Sequence, residues 1–141
     1  MIKRLLLVAA LAFAPVYALA QSSPDTVIRA FYGWYLPFKG DPINEKKILD
    51  FVTADTVQHV KNLFNCGEDD DCYGQNYFTK TQDWDEDDWV KYMRFSAPIY
   101  SQDSSALFVT MGSRKEMRTH LLILLEKVEK SWKIRSVTTA N

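Results

Sequence analysis

The sequence predicts an α+β fold in which N-terminal helices pack on a curved antiparallel four-stranded sheet. Two observations support this class. Apolar residues recur at helical spacing in the first part of the chain, and apolar and polar residues mix as in extended chain after Trp89. Helices first and consecutive strands afterwards are typical of the α+β class. We therefore expect one domain over residues 21–141, with its sheet wrapped over the first helix.

Residues 1–20 have the three regions of a cleaved secretory signal peptide. Lys3 and Arg4 form a basic start before the apolar run over 5–14. The small residues Ala18 and Ala20 then mark a cleavage site. The apolar run is about half as long as a membrane-spanning helix. We expect the mature protein to lie in the periplasm, with no stable membrane anchor after cleavage.

The first predicted helix begins after Ser23, a capping residue that is followed by Pro24. Proline disfavours a helical conformation in the residue before it, so Pro37 predicts that the helix ends at Leu36. Apolar residues recur at i, i+3, i+4, i+7 and i+8, namely Val27, Ala30, Phe31, Trp34 and Tyr35. We expect Phe31, Trp34 and Tyr35 to be core residues rather than a cofactor site.

Two further helices are predicted before the sheet. Asp41 and Pro42 repeat the pattern of a cap and a proline, which indicates a short helix to about Asp50. Thr53 begins the next helix, whose apolar face contains Val57, Val60 and Phe64. The segment 65–76 is predicted to be an acidic loop.

Four strands are predicted after Trp89. Their expected ranges are Val90–Tyr100, Ala106–Met111, Met117–Val128 and Trp132–Val137. A hairpin turn at 129–131 should join the last two strands. In the last strand, alternation predicts one shared face for Trp132, Ile134 and Ser136.

The charge distribution of the chain is uneven. Without Lys3 and Arg4 the mature chain has 15 bases and 18 acids, a formal net charge of −3, which argues against a nucleic-acid partner. Nine acids and the single base Lys80 lie between Glu68 and Asp88. After Trp89 there are nine bases and four acids. Such polarity can guide a basic partner towards the acidic end of a protein.

Cys66 and Cys72 are the only cysteines of the chain. In an oxidising compartment, a pair this close most simply forms a local disulfide. Closing a loop of this length contributes roughly 2 kcal/mol, so the bond would hold an acidic loop at the surface rather than maintain the whole fold. The alternatives are a redox pair, which has C-x-x-C spacing, and a zinc site, which needs two further ligands.

Three aromatic segments resemble a known family. These are Phe31–Leu36, Gln82–Trp84 before Trp89, and Trp132–Ile134. They are similar to the small bacterial envelope proteins of the family numbered 3828 among the domains of unknown function. The resemblance spans about residues 24–137 and implies a cone-like fold of the NTF2-like or cystatin-like kind.

Members of that family are periplasmic proteins or lipoproteins, and this chain lacks the acylation cysteine of the lipoproteins. The family supplies no catalytic residues. Similar small periplasmic proteins are immunity partners of cell-wall amidase toxins, so the resemblance raises that role as a hypothesis.

No catalytic site is predicted from the sequence. The two histidines, His59 and His120, have no nucleophile in a known motif, since the chain lacks G-x-S-x-G. Alternating acids over 83–87 begin like a calcium loop, but Asp88 stands where glycine is needed and Arg94 where glutamate is needed. An EF-hand is therefore excluded, and a weak calcium site stays an alternative. We expect no cofactor and no metal.

Three functions stay open. The first is a non-enzymatic periplasmic protein that binds a basic protein surface, as an immunity-type or inhibitor-type partner of a cell-envelope enzyme. The second is a small-ligand carrier that uses the interior of the cone, and the third is a pocket enzyme there with Tyr32, Tyr35 and Tyr92 as candidate lining residues. We favour the first. Its expected binding residues are Glu68, Asp69, Asp70, Asp71, Tyr73, Tyr77 and Phe78.

Overall fold

The computed structural model describes residues 22–65 and 74–141. Three α-helices within this part of the chain are followed by a five-stranded antiparallel sheet. The helices are α1 (Pro24–Tyr35), α2 (Ala54–Phe64) and α3 (Glu86–Lys91). The strands are β1 (Arg94–Phe95), β2 (Ile99–Ser101), β3 (Ser104–Met111), β4 (Thr119–Val128) and β5 (Ser131–Thr139). The predicted α+β class is confirmed. None of the helices described is long and apolar enough to cross a membrane.

The sheet has five strands instead of the predicted four because the segment 90–100 is not one strand. Helix α3 continues to Lys91, and Pro98 lies between the two short strands β1 and β2. Proline has no backbone N–H to donate and interrupts a strand ladder. Both short strands pair with β3, and the order across the sheet is β1-β3-β4-β5. The NTF2-like or cystatin-like cone stays a prediction.

Helix α1 packs on the inner face of the sheet through its aromatic side. Phe31 lies at the centre, with ring centroids of Tyr35, Phe51 and Phe78 between 5.0 and 5.9 Å away. The predicted core positions Phe31 and Tyr35 are buried. Trp34 is half-buried and stacks on the ring of Phe51 at 5.8 Å. The packed face is therefore rotated from the one that spacing predicts, because Ile28 and Tyr32 are fully buried while Ala30 is exposed.

The predicted helix from Asp41 to Asp50 is instead two 3₁₀ turns, Pro42–Asn44 and Lys46–Asp50. The Asp41 carboxylate accepts a hydrogen bond from the backbone N–H of Ile43 at 3.3 Å, as a cap does. Glu45 has extended backbone angles and separates the two turns. A continuous α-helix is therefore interrupted after one turn.

The segment before α2 lies along the edge of β5. Thr53 caps α2 by accepting from the backbone N–H of Thr56 at 3.2 Å, as the sequence predicts. Val52 forms a parallel bridge with Ile134. The backbone N–H of Thr53 donates to the Ile134 carbonyl at 3.0 Å, and that of Ile134 donates to the Phe51 carbonyl at 2.7 Å. This pairing fixes where α2 begins.

A register shift between Leu124 and Leu125 changes the face of the last strand. Leu124 pairs with Ser136 while Leu125 pairs with Ile134, so one extra residue is inserted on β5. Val137 is therefore buried on the face of Trp132 and Ile134, and the prediction that Ser136 shares this face is wrong. The predicted hairpin turn is present, with positive φ angles at Glu129 and Lys130.

Candidate functional site

The structure describes only two of the predicted binding residues. Tyr77 and Phe78 are 8% and 0% exposed, and both rings pack in the core. They are therefore core side chains, which corrects the expectation that they fill a pocket in a partner. The other predicted binding residues and the cysteine pair lie outside the described residues, namely Glu68, Asp69, Asp70, Asp71, Tyr73, Cys66 and Cys72.

Asn76 organises the turn that follows residues 66–73. Its side-chain oxygen accepts from the backbone N–H of Phe78 at 2.9 Å and from that of Thr79 at 3.2 Å. Its backbone carbonyl accepts from the N–H of Lys80 at 2.8 Å, which closes the turn. The Asn76 amide nitrogen donates to the Tyr35 hydroxyl at 2.8 Å. The turn at 76–80 is therefore held both by its own bonds and by α1.

Two tyrosines tie α1 to this turn. The Tyr32 hydroxyl donates to the Phe78 carbonyl at 2.6 Å. Burial raises the pKa of Tyr32 well above its usual value. Burial also raises the pKa of Tyr35 to about 12, against the opposing effect of its hydrogen bond with Asn76. Both phenols therefore stay neutral and act as structural hydrogen-bonding groups.

The acids of the segment 83–88 are mostly used within the chain. Asp85 caps α3 by accepting from the backbone N–H of Asp88 at 3.1 Å, and it pairs with Arg114 at 2.9 Å. Glu86 pairs with Lys39 at 3.3 Å. Exposed pairs of this kind add little stability, but they neutralise charge that a partner would otherwise meet. Asp83 and Asp87 are exposed.

Asp88 holds α3 to the connection after β3. Its carboxylate accepts from the backbone N–H of Ser113 at 2.8 Å and from the Ser113 hydroxyl. These two bonds lower the pKa of Asp88. Asp88 therefore anchors α3, and a lowered pKa is the opposite of what a general base near neutral pH needs.

Gly112 should not tolerate a side chain beside this anchor. It has a φ of +100°, and a Cβ there would lie 3.2 Å from the Trp89 ring and 3.3 Å from an Asp88 carboxylate oxygen. Gly112→Ala should lower the free energy of unfolding by about 1 to 3 kcal/mol. Gly33→Ala is the matched control, because Gly33 lies in α1 with nothing within 4 Å, and it should add about 0.5 to 1 kcal/mol. Urea titrations measure both, and equal midpoints for the two variants would contradict the prediction.

Both tryptophans of the segment 84–89 have structural partners. Trp89 is buried and donates from Nε1 to the Met117 carbonyl at 3.0 Å. Trp84 is half-buried and donates from Nε1 to the Leu36 carbonyl at 3.3 Å. Both rings therefore pack against the core of the fold.

The histidines do not form a catalytic cluster with each other. His59 is exposed on α2, and its ring lies 6.0 Å from that of Tyr77. His120 is exposed on β4, and its Nδ1 shares a hydrogen bond with the Thr110 hydroxyl at 3.0 Å. Among the residues that the structure describes, no group of three or more His, Cys, Asp or Glu side chains could hold a metal ion.

Among the residues that the structure describes, buried apolar side chains occupy the space between α1 and the sheet. Tyr32, which was a candidate pocket residue, is fully buried there, whereas Tyr92 is exposed elsewhere on the surface. A surface cleft of about 730 Å³ lies between the turn at 42–44 and the end of α2 and is bordered by Asn76. Tyr35, the third candidate pocket residue, lines this cleft together with the core residues Ile43 and Val60.

The chain is similar to a chain in two crystal structures of one complex. The first is the native type VI effector-immunity complex Tae3-Tai3 from Ralstonia pickettii, with a TM-score of 0.74 and 28% sequence identity over 86% of this chain and 98% of that chain. The second is the SeMet form of the complex, with a TM-score of 0.73 and 27% identity over 84% and 97%. No known protein family matches the sequence. No curated protein matches it either.

Proposed function

We propose that this protein is the immunity component of an effector-immunity pair and that it binds and neutralises an effector enzyme acting in the cell envelope. The observation that carries the proposal is the similarity to a chain of the Tae3-Tai3 complex, which covers 98% of that chain. Coverage this complete supports a shared fold from end to end rather than one shared motif. A role in binding a protein partner is consistent with both neighbours.

Two features of the chain favour the immunity component over the effector. The predicted export signal would bring the protein to the periplasm, where a partner of a cell-envelope enzyme is needed. In addition, His59 and His120 are exposed on different elements, and among the described residues neither ring is hydrogen-bonded to a carboxylate that would orient it as a base. Effectors that cut covalent bonds need such groups aligned with each other.

We further propose that the acidic segment 68–71 is the main contact with the partner. Three of the five acids over 83–88 are engaged with Arg114, Lys39 or Ser113. Besides 85–88, the only run of four consecutive acids in the sequence is 68–71. The segment is followed by a turn that Asn76 and two tyrosines hold in place. Because this turn is fixed, less conformational entropy should be lost when the acidic segment binds a basic surface.

The proposal is tested by capture followed by a toxicity assay. The tagged protein is exposed to secreted and periplasmic extracts of the source bacterium, and bound proteins are identified by mass spectrometry. The captured partner is then exported to the periplasm of a bacterial host with and without this chain. We expect growth arrest by the partner alone and restored growth with both. A captured protein that is harmless in the periplasm would contradict the proposal.

Changing Asp69, Asp70 and Asp71 together to asparagine should slow association with that partner while the fold is kept. The expected reduction of the association rate is about tenfold or more at low salt and much less at high salt, because screening removes long-range attraction. Stopped-flow fluorescence at two salt concentrations measures the rates.

The matched control for this variant changes Asp103, Glu116 and Glu129 to their amides. All three are exposed and belong to the basic half of the chain, and the change of net charge is the same. The control should retain a rate within about twofold of the wild type. Equal rates for the two triple variants at low salt would show that the position of the acids does not matter.

A further inference from the structure

The sheet has an exposed apolar patch on the face opposite α1. Ile99, Phe108 and Leu124 are 69%, 50% and 40% exposed, and the half-buried Ala106 and Leu122 lie between them. We call these five residues the outer apolar patch. Single exposed apolar residues are ordinary, but a contiguous group of them marks an interaction surface.

Strand pairing shows that the patch is continuous. Ala106 pairs with both Ile99 and Leu124, and Phe108 pairs with Leu122. Directly paired residues of an antiparallel sheet point to the same face with Cβ atoms about 5 Å apart. The five side chains therefore form two adjacent rows across the sheet.

A polar row lies beyond each apolar row. On one side Thr110 pairs with His120, and on the other Ser104 pairs with Glu126. Along β4 the outward residues are thus His120, Leu122, Leu124 and Glu126. Their order is polar, apolar, apolar, polar. It therefore reads the same in both directions from the level of Ile123.

We propose that a second copy of this chain covers the outer apolar patch in a two-fold symmetric dimer. The two-fold axis lies between the stacked sheets and crosses β3 and β4 at the level of Leu107 and Ile123. Rotation about this axis places the row that contains Phe108 opposite the row that contains Ala106 in the second copy. Phe108 then lies opposite Ala106 of the second copy, and Leu122 lies opposite Leu124 of the second copy. A large side chain thus meets a small one, as close sheet packing requires.

The same axis places His120 opposite Glu126 of the second copy. The Thr110 hydroxyl is 3.0 Å from His120 Nδ1, and when it donates to that atom the ring proton is on Nε2. Nε2 can then donate to the facing carboxylate. Glu126 already accepts from Arg135 at 2.9 Å, and its second oxygen can accept from the histidine.

An axis parallel to the strands fits less well. It would place Phe108 opposite Leu122 of the second copy, where two large side chains are crowded. It would also place Ala106 opposite Leu124 of the second copy, where the packing is loose. It would also place His120 opposite Thr110, a residue to which it is already bonded within its own chain. Size and hydrogen-bond complementarity both favour the axis across the strands.

The area of the face is sufficient for a specific dimer. Four strand positions across and eight residues along β3 make a face about 19 Å by about 27 Å, or roughly 500 Å² per copy before side-chain relief is counted. Two such faces bury roughly 1,000 Å², the lower limit for a stable specific interface.

The test uses sedimentation equilibrium of protein expressed from the full 141-residue sequence and purified after export. We expect reversible dimerisation. Ala106→Phe alone and Phe108→Ala alone should each weaken the dimer about tenfold or more, because one crowds and the other empties the same contact. The double variant exchanges the two side chains and should restore the wild-type dissociation constant within about threefold.

Val90→Phe is the matched control, because Val90 is an exposed residue of α3 outside the patch. It should leave the dissociation constant unchanged. Circular dichroism checks that each variant is folded, and Leu124→Lys serves as a second disruptive variant if Ala106→Phe does not fold. A wild-type protein that stays monomeric at all concentrations would overturn the proposal. A double variant that dimerises no more tightly than its single parents would also overturn it. If the wild type is monomeric, loss of effector binding by Leu124→Lys would assign the patch to the effector instead.

Discussion

Replacing Phe31 by alanine should lower the free energy of unfolding by about 3 to 5 kcal/mol, because the side chain is fully buried in a group of aromatic rings. Its ring is within 5.9 Å of the rings of Tyr32, Tyr35, Phe51 and Phe78. The neighbours come from α1, the segment before α2 and the turn after Asn76. Because these neighbours belong to three separate segments, they cannot move together to fill the cavity that the missing ring leaves. Most of the packing contacts of Phe31 are therefore not regained.

The comparison variant for this experiment is Trp34→Ala. Trp34 is one turn further along α1 but only half-buried, so its truncation should cost clearly less than that of Phe31. Urea unfolding followed by far-ultraviolet circular dichroism measures both values. A Phe31→Ala protein with the midpoint of the wild type would show that α1 does not pack on the sheet in solution.

Raising the pH from 10 to 12 should destabilise the protein through its buried tyrosines. The folded-state pKa of Tyr35 is about 12 against 10.0 for the free group, and burial also raises the pKa of Tyr32 well above 10.0. A group whose pKa is raised on folding contributes stability that is fully present below the unfolded pKa and is lost as the pH rises through the folded one. For Tyr35 alone the loss is about 3 kcal/mol once the pH exceeds both values.

Urea midpoints of the wild type and of Tyr35→Phe at pH 8 and pH 11.5 separate this effect from general alkaline destabilisation. The variant should be less stable than the wild type at pH 8, because Asn76 loses its hydroxyl partner. The difference should shrink or reverse at pH 11.5. A constant difference between the two proteins would show that Tyr35 ionises as readily in the folded state as in the unfolded chain.

Local patterns predicted the elements that depend on neighbouring residues. The start of α1 at Pro24 and of α2 after Thr53 follow from capping residues and apolar spacing, and both lie where the sequence places them. Helix α3 is missed because six residues are too short for a periodic pattern. Its cap is nevertheless visible in retrospect, as Asp85 three residues before Asp88.

Features that depend on distant residues could not be predicted from the sequence. The register shift at Leu124 depends on how β4 aligns with β5. The partners of Asp85 and Glu86 are Arg114 and Lys39, which are 29 and 47 positions away. Phe78 follows an acidic polar segment and resembles a surface residue, but α1 covers it. The role of Asn76 does have a local signal, because an asparagine that begins a turn is a known pattern.

The way in which the sheet ends has a consequence for aggregation. On the β5 edge, the backbone groups of Ile134 are hydrogen-bonded to those of Phe51 and Thr53. Beside them, Lys133 Nζ donates to the carbonyls of Leu49 and Asp50 within 2.8 Å. The opposite edge consists of strands of two and three residues on either side of Pro98. Long unpaired edges recruit strands from other molecules and seed fibrils. In the part of the chain that the structure describes, both edges are interrupted, one by the pairing at Ile134 and the other at Pro98. The folded chain should therefore resist strand-by-strand polymerisation even where it accumulates at high concentration.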